Sequence, residues 1–107
     1  MKIDIDIKDN SGDVLEALPQ QLKNALWAIG ATAEGHAKEK CPVDTGRLRN
    51  SISHAETEDS AYIGTNVEYA PYVELGSRGR SGAHFLKDAA ADHAEEYKAI
   101  IEAALKS

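Results

Sequence analysis

The sequence predicts an α+β fold, in which a small antiparallel sheet packs against a long N-terminal helix and a C-terminal helix. Apolar and charged residues alternate over residues 2–8, which is the period of a half-buried strand. Residues 15–37 and 86–104 instead repeat apolar residues at steps of three or four, as amphipathic helices do. The chain has 107 residues, so we expect one core and a single domain over residues 1–107.

The first helix has clear boundary signals. Pro19 is tolerated in a first helical turn but not in a helix interior, so it marks the start. Pro42 disfavours the helical conformation at the residue before it, so the helix is predicted to end near Lys40. Gly30 and Gly35 each cost about 1 kcal/mol relative to alanine inside a helix. We therefore expect another backbone to pack closely there.

The middle of the chain predicts a hairpin followed by a short helix. Residues 51–58 and 61–66 read as two short antiparallel strands after a turn-rich link. Residues 69–75 predict a helix, with Asn66 as N-cap and Gly76 as the left-handed residue that closes it.

The last part of the chain combines a loop and a helix. Residues 77–83, rich in Gly, Ser and Arg, predict a mobile loop within the domain. One amphipathic helix is then predicted from Leu86 nearly to the C-terminus.

Charge and composition narrow the function classes. Eighteen acidic and twelve basic residues give a net charge of −6, which argues against nucleic acid or anionic membrane as the main partner. The single cysteine, Cys41, excludes an intrachain disulfide and fits a reducing compartment. Charges at Lys2 and Asp4 argue against a signal peptide, and no apolar run approaches the ~20 residues of a membrane span. We expect a soluble protein.

No catalytic, cofactor or metal site is predicted. His36, Cys41 and Asp44 offer an imidazole, a thiol and a carboxylate, but His36 and Cys41 lie on different sides of their helix. The end of a helix also disfavours a thiolate, so a structural cysteine is favoured. The four histidines are scattered without the paired spacing of metal ligands, and His93 is interpreted as a packed or boundary residue. We therefore expect that the protein is not an enzyme.

Trp27 has two open interpretations. It lies about 100° around the first helix from Leu26, away from the centre of the apolar stripe. It can cover the sheet edge as a boundary residue, or it can anchor an interface, where tryptophan is enriched.

Three segments resemble a known family. They are CPVDTGRLRNSI at 41–52, YIGTN at 62–66 and YAPYVELG at 69–76. In order and spacing they are similar to the signature of a tailed-bacteriophage neck family, the tail-completion or head-tail joining proteins. The resemblance weakens after Leu86, where the family commonly shows Arg-Pro-Ala and this chain has Lys-Asp-Ala.

The candidate site residues fall into two groups. Some are expected to brace the turn before the hairpin, because short polar side chains bond nearby amides and glycine permits sharp turns. These are Asp44, Thr45, Gly46 and Tyr62. Others are candidates for an interface, because aromatic residues and arginine are enriched there. These are Trp27, Arg47, Arg49, Tyr69, Pro71, Tyr72, Glu74, Arg78 and Arg80.

The resemblance implies a structural protein of a phage or prophage virion, made in the host bacterial cytoplasm. It would act in tail completion and head-tail joining as a neck ring, for example a hexamer, beside other neck and tail proteins. DNA would pass through the lumen. A ring needs heterologous contacts, so the arginine segments are hypothesised to meet acidic residues such as Glu56, Glu58 and Asp59 of a neighbour.

Two other function classes stay open at this point. One is a small nucleic-acid-binding module whose arginine loops follow phosphates. The other is a small hydrolase that uses Cys41.

Overall fold

The fold is α+β, as predicted, in a computed structural model that describes residues 1–5, 19–43, 46–57, 60–77 and 79–105. The strands are β1 Lys2–Ile5, β2 Ser53–Glu56, β3 Ala61–Gly64, β4 Gly76–Ser77 and β5 Arg80–Ser81. The helices are α1 Pro19–Lys40, α2 Arg47–Ser51, α3 Ala70–Leu75, α4 Phe85–Ala91 and α5 Ala94–Leu105.

The main sheet has three antiparallel strands in the order β1-β3-β2. Ile63 in the central strand lies opposite Ile3 on one side and His54 on the other. Ala61 and Ile63 are buried whereas Tyr62 is half-buried, so the sheet has one core face. The predicted hairpin is therefore confirmed.

Helix α1 supplies the largest part of the core. Leu26, Ile29, Ala33 and Ala37 are buried along one side, which packs against the sheet and against α4 and α5. This side follows from the apolar spacing, and the alanines let the partner helices approach closely. Among the described helices, none is long and apolar enough to cross a membrane.

The C-terminal part of the chain closes the core. Phe85, Leu86, Tyr97 and Ile101 are all buried. The Tyr97 hydroxyl donates a hydrogen bond to the Ala89 carbonyl, and burial raises the pKa of Tyr97 to about 12. A buried phenol with a backbone partner ties α5 to α4.

The structure corrects the predicted ends of the hairpin and of the short helix. Ser51 belongs to α2, a helix of five residues, which is too short to show an apolar period in the sequence. Asn66 is not an N-cap, because α3 follows Tyr69 instead. Gly76 has a positive φ of 87° but a ψ of 165°, so it is not in the left-handed helical region.

The C-terminal helix is also corrected, because it is two helices separated at Asp92 and His93. Ala90 and Tyr97 are seven positions apart, which equals about two helical turns, so apolar spacing cannot reveal the break. A small hairpin, in which Gly76–Ser77 pairs with Arg80–Ser81, covers part of the predicted mobile loop over residues 77–83. The mobility of that segment stays a prediction.

A close backbone neighbour was predicted at both Gly30 and Gly35. The structure shows a close neighbour only at Gly30, and that neighbour is a side chain. A Cβ atom on Gly30 would lie 2.8 Å from the His54 side chain, so the close neighbour is an imidazole rather than a backbone. Nothing lies within 4 Å of that position on Gly35. Predicted structure at residues 6–18 and at the turn residues 58 and 59 lies outside the described residues.

Candidate functional site

The three motif segments meet at the junction of α2, the end of β3 and the start of α3. The Ser51 hydroxyl donates to the Leu48 carbonyl at 2.6 Å, and Thr65 Oγ1 accepts from the Val67 amide at 3.1 Å. Ser51 Oγ and Thr65 Oγ1 are 2.5 Å apart. Each hydroxyl has one proton, so Thr65 is the donor in this pair. These bonds hold α2 against the strand end.

Gly46 and Gly64 are needed at this junction for different reasons. Gly46 has a φ of 85°, which an L side chain rarely adopts, and its carbonyl accepts from the Asn50 amide at 2.9 Å. A Cβ atom on Gly64 would lie 2.3 Å from the Met1 carbonyl oxygen, so only glycine permits β1 to pair there.

The bracing group is only partly brought together. Gly46 lies immediately before α2, whereas Tyr62 lies in the central strand with Lys2 Nζ 4.4 Å from its ring centroid. Asp44 and Thr45 lie outside the described residues. Among the described residues, the bracing contacts of the junction come from Ser51 and Thr65, for which the sequence gives no functional signal.

Arg47 is engaged within the chain. Its guanidinium donates to both carboxylate oxygens of Glu68, at 3.1 and 3.0 Å, and lies 5.5 Å from the Tyr69 ring centroid. The hydrogen bonds from Arg47 lower the pKa of the Glu68 carboxyl. Arg47 therefore positions the turn before α3.

A cleft of about 550 Å³ opens between α2 and α3. It is mostly apolar, and its lining residues are Pro42, Val43, Gly46, Arg47, Leu48, Tyr69 and Val73. Val43 at its rim is 60% exposed.

Beside the cleft, α3 turns apolar residues toward solvent. Pro71 is exposed, and Tyr72 and Leu75 are each 65% exposed. Positions three and four apart share one side of a helix, so these residues form one surface, which we call the α3 face. Leu75 lies in a helical pattern, where an apolar residue ordinarily indicates core, and the isolated Val43 in a turn carries no sequence signal of exposure.

Glu74 is not an interface residue in this structure, which corrects the sequence interpretation. It is 1% exposed, and its two carboxylate oxygens accept from the amides of Leu86 at 2.8 Å and Lys87 at 3.0 Å. These are orphan amides at the start of α4, where a negative charge is favourable. Glu74 thus joins α3 to α4.

The hairpin of β4 and β5 returns the chain closely against α3. A Cβ atom on Gly82 would lie 2.2 Å from the Glu74 carbonyl oxygen, so this return requires glycine. Arg80 lies in β5, and Arg78 lies outside the described residues. Arg49 is exposed on α2.

Trp27 lies at a second surface, formed by α1 and β2. It is 55% exposed and meets the His54 ring edge-on, with centroids 5.5 Å apart. His54 Nδ1 is 3.0 Å from Glu34 Oε1, and Lys38 donates to Glu34 at 3.2 Å. Burial alone would raise the pKa of Glu34, but the hydrogen bonds from His54 and Lys38 outweigh it and lower the pKa. Trp27 therefore borders the sheet and is also accessible to a partner.

The residues considered for thiol chemistry do not assemble into a nucleophile among the described residues. Cys41 is buried, and burial raises its pKa although Arg49 offsets part of the effect. His36 contacts Glu96 at 3.0 Å and stacks on His93. A raised pKa favours the unreactive thiol.

A small domain whose polar groups brace its own turns, while apolar side chains face water, is typical of a subunit of an assembly. The model of the family described as "Bacteriophage HK97-gp10, putative tail-component" matches residues 6–76. The chain belongs to this family, so it is a bacteriophage tail component and a virion protein that assembles with other tail proteins. Comparisons with curated proteins and with solved structures give no match.

Proposed function

We propose that this tail component acts in tail completion and head-tail joining, as a non-catalytic subunit of a ring at the neck of the virion. The observation that carries the proposal is the α3 face. Its exposed residues lie within residues 6–76, the part of the chain that matches the family model. Exposed apolar area is unfavourable in water and favourable in a protein interface.

A closed ring needs two different surfaces on each subunit. The α3 face with its adjoining cleft is one, and the Trp27 surface on α1 and β2 is the other. Either one can meet a neighbouring subunit or another tail protein. The ring, for example of six subunits, leaves a lumen through which DNA passes.

Electron microscopy of phage lysates tests the joining role. A phage or prophage deleted for this gene is expected to give filled heads beside separate tails, and the intact gene is expected to restore virions. Normal virions in the deletion would contradict the proposal.

Complementation with variants tests the surface. Leu75→Asp places a charge on the α3 face and is expected to fail, whereas Ala103→Asp places the same charge at an exposed position on α5 and is expected to restore virions. Equal rescue by both variants would remove the α3 face from the proposal.

Arg78 and Arg80 are proposed to meet acidic residues of a neighbouring subunit. Arg78→Glu combined with Arg80→Glu is expected to block joining while the melting temperature of the isolated protein stays unchanged. Head-tail joining at normal efficiency in this variant would overturn the proposed contact between these arginines and a neighbour. DNA binding that falls steeply with salt, together with normal virions in the deletion, would favour the nucleic-acid-binding alternative.

A further inference from the structure

Three metal-binding side chains converge where α1 meets the start of α5. His36 on α1 has its Nε2 atom 3.0 Å from Glu96 Oε1. The His36 and His93 rings stack with centroids 3.5 Å apart and planes 2° from parallel. One ligand atom from each of His36, His93 and Glu96 lies within 4.8 Å of the others. No other such group of three occurs among the described residues.

Ring stacking alone leaves this cluster incomplete. The Nε2 atom of His93 is buried and has no hydrogen-bond partner in the described part of the chain. A buried nitrogen without a hydrogen-bond partner is unfavourable, because it has lost its contact with water and gained no replacement. The Nε2 atom of His93 is therefore available to bind a ligand.

We propose that His36, His93 and Glu96 bind one divalent transition-metal ion, with Zn²⁺ as the ion that best suits two imidazoles and a carboxylate. These donors are common zinc ligands, and three protein ligands leave a fourth position for water. Two ligand atoms on one tetrahedral zinc ion are about 3.3 Å apart, so the widest pair closes by no more than about 1.5 Å. Parallel rings do not aim their nitrogens at one point, so binding rotates one imidazole about its Cβ–Cγ bond.

The surroundings of His36 favour this site. Its other ring nitrogen, Nδ1, is 3.7 Å from Glu39 Oε2. Metal-binding histidines usually direct their second nitrogen toward a carboxylate or carbonyl, which fixes the tautomer and orients the ring. The present contact is longer than a hydrogen bond, and a shift of about 0.5 Å would form one. Glu39 would then orient His36 with Nε2 facing the ion.

The ion would link α1 to α5 across the helical layer. His36 lies within the family-matched segment, whereas His93 and Glu96 lie after it. The site stands on these contacts alone and does not depend on the proposed role at the neck.

Isothermal titration of Zn²⁺ into the chelator-treated full chain tests the site, and Co²⁺ absorption reports its coordination. The expected result is one ion per chain, a melting temperature that rises to saturation, and the visible bands of four-coordinate Co²⁺. His36→Gln and Glu96→Gln are each expected to weaken Zn²⁺ binding by at least about tenfold. His54→Gln is the matched control, because His54 also contacts a carboxylate but is not part of a three-ligand cluster; it is expected to bind normally.

The absence of Zn²⁺ binding to the unmodified chain would overturn the proposal. Equally strong Zn²⁺ binding by all three variants would also overturn it, because scattered surface carboxylates produce that result. Circular dichroism first establishes that each variant is folded. Glu96 is half exposed, so Glu96→Gln keeps the test decisive if His36→Gln does not fold.

Discussion

Helices α1 and α3 place apolar residues in opposite ways. On α1, Leu26 and Ile29 are fully buried and the charged residues lie outside. On α3, Tyr72 and Leu75 face solvent while the charged Glu74 is buried. The core of this chain explains the buried side of α1, but it does not explain the exposed apolar residues of α3. We attribute those residues to the proposed assembly interface.

The largest expected effect on stability comes from the buried side of α1. Leu26→Ala is expected to lower the free energy of unfolding by about 2–5 kcal/mol, because it removes buried methyl groups and leaves a cavity. Leu75→Ala is the same substitution at an exposed position, and we expect a change within about 0.5 kcal/mol. Urea unfolding of both variants measures the contrast. A loss at Leu75 as large as that at Leu26 would show that α3 packs on this chain.

Glu74→Gln is expected to cost about 1–3 kcal/mol, since it replaces a carboxylate oxygen with an NH₂ group that cannot accept from a buried amide. Glu102→Gln on the exposed side of α5 is the control and is expected to stay within about 0.5 kcal/mol. Equal unfolding free energies for the two variants would contradict the capping role of Glu74.

Most of the fold could be predicted from the sequence where a long apolar period or a proline was present. Pro19 and Lys40 are the actual ends of α1, and the alternation at residues 2–5 gives β1. The missed elements are short ones. Helix α2 has five residues and the strands of the β4–β5 hairpin have two each, so no period exists to be read.

The candidate site was less predictable, because its contacts join residues far apart in sequence. The role of Glu74 depends on amides twelve and thirteen positions later, and His36 meets Glu96 across sixty. Because Glu74 is charged, the sequence placed it on the surface. Because the histidines are far apart in sequence, their spacing gave no sign of the cluster.

A smaller effect is expected from Glu34, which lies on the outer side of α1. Its pKa is lowered below the ordinary value of 4.5, so its contribution to stability is present above that pH and is lost as pH falls through the lowered value. Glu34→Gln should therefore be less stable than the wild type at pH 6, by no more than about 1 kcal/mol, with the difference shrinking toward pH 3. Urea unfolding at several pH values between 3 and 6, with Glu102→Gln as control, measures this stability difference. A difference that does not change with pH would contradict a contribution from the Glu34 carboxylate.

The smallest expected effect on stability is at Arg47, next to the α3 face. Arg47→Lys loses the paired hydrogen bonds to Glu68, but the ion pair is exposed, so the unfolding free energy is expected to match that of the wild type within the error of the measurement. Arg49→Lys on the same helix is the matched control. If Arg47 also orders the turn that leads into the α3 face, Arg47→Lys should reduce complementation in the phage assay while Arg49→Lys does not. Equal complementation by both would limit Arg47 to the local turn and leave the apolar residues of α3 to carry the interface.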